Sequence, residues 1–191
     1  LGHQRLSIID VKGGAQPLND SNNKAWIVFN GEIYNFIALR AELRQLGFQF
    51  KTRSDTEVVV QAYLAWGESC VEKLQGMFAF AIWDSRDNSL FCARDRLGMK
   101  PFYYYWDGQH FVFASEIKSL LKHPLVKTEQ DTSAFRSYLQ FRYIPAPDTI
   151  YKNIKKLPAA SLLKIKAGEF KTQKYWDISS FGENKTISEA G

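Results

Sequence analysis

A chain of 191 residues with 45% hydrophobic and 15% aromatic content has the material for one sizeable core, and its length does not demand a second. No apolar run approaches the roughly 20 residues a membrane-crossing helix needs, and no basic stretch followed by an apolar one opens the chain as a secretion signal would. The two cysteines, Cys70 and Cys92, are too few for a disulfide framework and lack zinc-site spacing, so the expectation is a cytoplasmic domain with reduced thiols.

In chain order, "HQRLSIIDV" is β-branched enough for a strand, and "KGGAQPLNDSNN" is a loop rich in turn formers. "KAWIVFN" predicts a second strand, after which Asn30-Gly31 reads as a tight turn. Ile33, Phe36, Leu39, Leu43 and Leu46 then recur every three or four positions, a helix stopped by Gly47. "FQFKTR" is extended, and Ser54 with Glu57 has capping-box spacing ahead of a second helix carrying Val58, Val59, Ala62 and Trp66. From Met77 the pattern becomes short strands, "MFAFAIWD", "SLFCARD", "PFYYYW" and "HFVFAS", joined by turns at "SRDN" and Asp107-Gly108, which reads as an antiparallel meander. Helical stretches "EIKSLLK" and "DTSAFRSYLQF" follow, then a hairpin around Gly168 and, from Asp177, a polar tail that reads as a linker. The fold class is α+β, antiparallel sheet layered with helices.

A net charge of +5, with lysines crowded near the C-terminal end, raises a nucleic-acid partner. Lys164 and Lys166 alternate with Leu163 and Ile165, however, which is the wet face of a strand, so neither nucleic acid nor membrane is expected as a partner. His3, His110 and His123 are scattered singly and suggest no metal; Cys92, in alternation with Leu90, reads as a packed core thiol.

Three separated stretches carry candidate chemistry. A backbone N–H and a side-chain amide at Asn30-Gly31 can both donate to an oxygen that acquires negative charge, although the dipeptide taken alone favours a plain turn. Asp55 lies in a helix's first turn, where a carboxylate is favoured with or without a ligand. Arg5 begins an apolar run, where it is solvated or clamps a carboxylate with its planar fork. An arginine for a carboxylate, an acid for an ammonium and a donor pair for an amide oxygen together complement glutamine.

The runs "LGHQRLSIID", "GGAQPL", "FNGEIYNF", "RSDTEVVVQAY", "LQGMFAFAIWD", "ARDRLGMKPFYY", "FASEIKSLL" and "YIPAPDTIYKNIKKLPA" resemble, in order, the glutamine amidotransferase domain of glutamine-dependent asparagine synthetases, the class II or N-terminal-nucleophile type. The resemblance implies an αββα sandwich over residues 1–177, incomplete at its N-terminus, and a linker over 178–191 toward a synthetase domain. It implies that Arg5 holds the α-carboxylate of glutamine, Asp55 its α-ammonium, Asn30 and Gly31 the oxyanion, and that Glu32 lines the pocket. It further implies a cysteine nucleophile at a mature N-terminus, absent here, so the fragment alone is expected to be inactive. Partners would be glutamine, the synthetase domain and a second copy of the chain, with no cofactor in this domain and ATP and magnesium confined to the synthetase domain. A different acceptor domain, or a non-hydrolysing scaffold, stays open.

Overall fold

The computed structural model describes residues 1–4, 10, 13–20 and 22–180, so Arg5 and the strand expected around it lie outside the described residues. Six strands form the larger sheet in the order β1 (Leu18–Asn19), β2 (Ala25–Ile33), β3 (Gly76–Asp84), β4 (Ser89–Arg94), β8 (Ser161–Lys166) and β9 (Glu169–Lys174). The smaller sheet has the order β6 (Phe111–Ala114), β5 (Tyr103–Trp106), β7 (Ile154–Lys156), and all neighbours in both sheets are antiparallel.

Strand alternation sorts the side chains into layers. From β2 and β3, Ile27, Phe29, Phe78, Phe80 and Ile82 face α1 (Phe36–Gln45) and α2 (Asp55–Trp66), meeting Leu39, Leu43, Val59 and Ala62. Their neighbours Val28, Ala79 and Ala81, with Cys92, face the other way and meet Phe102, just ahead of β5, and Tyr104 of the second sheet. On that sheet's far face Tyr105 and Ile154 pack with Leu120 of α4 (Ile117–Leu120) and Val126. Helix, sheet, sheet, helix is therefore the layer order, as the resemblance implied. A short helix α3 (Cys70–Lys73) precedes β3, and α5 (Thr132–Phe141) precedes β7.

Three local expectations are corrected. Asn30-Gly31 is not a turn: β2 runs on to Ile33, with Gly31 opposite Phe78 and Ile33 opposite Gly76. The glycine serves close approach instead of reversal. A Cβ at Gly31, whose φ is +151°, would sit 2.1 Å from the Met77 carbonyl oxygen, and one at Gly76 would sit 2.1 Å from that of Glu32. The chain reverses after Ile33, where the Asn35 side-chain oxygen accepts from the Gln75 N–H at 3.0 Å and its amide donates to the Lys73 carbonyl at 2.9 Å.

Ser54 caps α2, its hydroxyl accepting from the Thr56 N–H at 3.1 Å, but Glu57 does not close a box. Its carboxylate accepts from the N–H groups of Lys51 and Thr52 and from the Thr52 hydroxyl, each at 2.7 Å, and so fastens the loop ahead of the helix.

Nor do β4 and β5 continue one meander, because they belong to different sheets. The buried Asp95 carboxylate accepts from the N–H groups of Phe78, Leu97, Met99 and Lys100, while the Arg94 guanidinium donates to the carbonyls of Gly98, Lys100 and Leu157. These two side chains satisfy the backbone of the 95–100 crossing, which needs no ladder partner and can carry the chain to the second sheet. The hairpin around Gly168 is as expected, and Lys164 and Lys166 pair with Glu68 and Asp87 at 2.6 and 2.7 Å.

Candidate active site

At one end of the sandwich, where the two sheets part, lies a cavity of about 700 Å³. Asn30, Gly31, Glu32 and Asp55 all line it, together with Gly2, His3 and Gln4 just ahead of Arg5. Four residues from two segments 23 positions apart thus share one hollow.

The ladder explains how they meet. Asn30 has the same parity as Val28 in β2 and so faces the second sheet, where its amide Nδ2 donates to the Ser115 hydroxyl at 3.4 Å, just past the end of β6. The contact spans the gap between the sheets and turns the amide's donor side toward the second one. Asp55 arrives at the start of α2 and is only 4% exposed. Its Oδ2 accepts from the Ile33 N–H at 3.0 Å and its Oδ1 from the Thr56 N–H at 2.9 Å, so one carboxylate ties the end of β2 to the first turn of α2. Burial pushes this carboxyl above its ordinary range; the backbone N–H donors of Ile33, Thr56 and Asp55 itself pull it down by less, and the nearby Glu32 adds to the rise. Among the described residues Asp55 makes no direct ion pair and feels a cation only at longer range, from the Arg40 guanidinium, which suits its carboxylate to an incoming cation.

Residues that the sequence reading did not single out complete the site. The Gln16 amide donates to the Phe29 carbonyl at 3.1 Å and accepts from the Phe29 N–H at 2.6 Å, standing in for a strand residue beside β2 one position before Asn30. Lys100, Phe102, Phe113 and Ser115 form the opposite wall, with Phe102 and Phe113 stacked at 5.4 Å. Gln16, Asp95 and Ser115 all sit inside runs that the resemblance rests on, but a single polar residue in a loop has no periodicity to mark it.

Cys70 and Cys92 are both fully buried, and burial pushes both thiols far up, as packed core thiols require. Among the described residues there is no cluster of three or more potential metal ligands, and no helix is long and apolar enough to cross a membrane.

The layered αββα fold agrees with the comparisons. The glutamine amidotransferase domain model matches residues 1–176. The chain belongs to that family. It is 42% identical to asparagine synthetase [glutamine-hydrolyzing] 3 of Bacillus subtilis across 94% of its own length, and 45% identical to asparagine synthetase B [glutamine-hydrolyzing] of Escherichia coli across 73%. It spans only 30% and 24% of those two relatives. Among solved structures, the glutamine phosphoribosylpyrophosphate amidotransferase of B. subtilis superposes with a TM-score of 0.56 at 23% identity, covering 83% of this chain and 31% of that one, which supports the fold.

Proposed function

We propose that this domain binds glutamine in the cavity between its sheets and releases ammonia from the side-chain amide, for ATP-dependent amidation of aspartate by another part of a longer polypeptide. The observation that carries the reading is the convergence of Asn30, Gly31, Glu32 and Asp55 on one hollow. Asp55 neutralises the α-ammonium, and Arg5 takes the α-carboxylate. The amide end then points at Asn30 and Gly31, whose side-chain and backbone N–H groups stabilise the oxyanion by about 3 kcal/mol each. The attacking thiol is neither Cys70 nor Cys92, since both are buried; the resemblance assigns that role to an N-terminal cysteine whose α-amine takes the thiol proton. Attack forms a thioester as ammonia departs, and water releases glutamate. The acceptor follows from the relatives' names.

The test is glutamate release by the full-length protein that carries this chain. Asn30→Ala should lower kcat about 100-fold with KM for glutamine changed less than about threefold. Unchanged kcat would overturn the assignment.

A further inference from the structure

We infer that the outward face of α5 is a docking surface for the remainder of the full-length polypeptide. The inference rests on the reading above that this chain is one domain of a longer protein. Phe135, Tyr138 and Leu139 recur at a spacing of three and four, which places them on one stripe, and they are 51%, 50% and 67% exposed. Phe141 and Tyr143, 51% and 61% exposed with rings 6.2 Å apart, extend the patch beyond the helix. Within α5 only Ala134 is buried. A surface helix ordinarily turns its large apolar residues inward; this one presents them to solvent and packs on a single small residue.

Backbone bonds anchor the start of the helix. Asp131 caps the helix, its Oδ1 accepting from the Ser133 and Ala134 N–H groups at 2.9 and 3.3 Å. Its own N–H donates to the Ile150 carbonyl at 2.8 Å, and Gln130 pairs with Tyr151 alongside. The apolar stripe thus stands on a helix anchored at its N-terminal end.

Size decides the occupant. Five large side chains about half exposed offer roughly 500 Å², well below what each partner of an obligate homodimer commits. A tethered neighbour needs less area, because the linker supplies a local concentration in the millimolar range. The curated relatives carry about 70% of their length outside the region matched here, which supplies such a neighbour. Arg136 and Arg142, exposed at the margins of the stripe, call for an acidic rim around the partner's apolar centre.

Maleimide labelling tests this on the full-length protein, with modification read by peptide mass spectrometry. Leu139→Cys should react at least tenfold more slowly than Lys171→Cys, whose parent side chain is 75% exposed on β9, and the protection should not depend on protein concentration. Equal rates would show a bare face, and protection lost on dilution would show a second copy in place of the tethered partner; either overturns the inference. The readout is independent of glutamine hydrolysis, so its failure leaves the cavity's assignment untouched.

Discussion

On the proposed assignment, the raised pKa of Asp55 ties glutamine affinity to pH. Burial is the dominant cause and favours the neutral acid in the empty protein. A folded-state pKa above the unfolded one contributes stability that is fully present below the unfolded pKa and lost as pH rises through the folded value. Binding an ammonium runs the other way, because it needs the carboxylate. Glutamine affinity should therefore fall about tenfold per unit as pH drops below the folded pKa of Asp55, and a titration of KM against pH checks it. Asp55→Asn should remove that pH dependence and raise KM about 30-fold, the loss of one charge-assisted contact of about 2 kcal/mol. At Asn30-Gly31 the sequence concealed the conformation. Glycine next to asparagine is a turn signal only where the backbone needs to reverse, and here the same missing Cβ lets β2 and β3 approach. Gly31→Ala should cost about 3 kcal/mol and lower Tm by about 10 °C. Gly168→Ala has open space around its Cβ despite a φ of +80°, so it should cost about 1 kcal/mol. Thermal denaturation of both variants distinguishes clash from backbone strain alone.

The elements were legible where side chains repeat with a period. The 3.6-residue recurrence from Phe36 to Leu43 and the strict alternation of Phe78, Phe80 and Ile82 with Ala79 and Ala81 each fixed an element and its buried face. Illegible were contacts made by one residue with the backbone of another segment. Glu57 has capping-box spacing, but its burial beside the 51–52 loop offers it three donors in place of one. Glu57→Gln should therefore destabilise the protein by about 2 kcal/mol, since the charge-assisted bonds to Lys51 and Thr52 are lost or reversed. Glu42→Gln, in an exposed pair with Lys73, should cost less than about 0.5 kcal/mol. Urea denaturation midpoints at constant m measure the contrast. The sheet switch after β4 was likewise hidden, because the local strand and turn pattern is identical whether two strands pair or part. The Arg94 and Asp95 side chains that satisfy the crossing's backbone carry no periodic signal.

At the scale of the molecule, the two sheets close on each other through Val28, Ala79, Ala81, Phe102 and Leu163 and part at the end where Asn30, Gly31, Glu32 and Asp55 face the gap. The convergence of these residues across the sequence was legible only through the ordered motifs, since no local spacing relates position 30 to position 55. The most direct measurement is a crystal structure of the full-length protein soaked with glutamate, the expected product. The α-ammonium should lie within about 3 Å of the Asp55 carboxylate and a side-chain oxygen at hydrogen-bond distance from Asn30 Nδ2. Glutamate ordered outside this cavity, with Asp55 and Asn30 untouched, would contradict it.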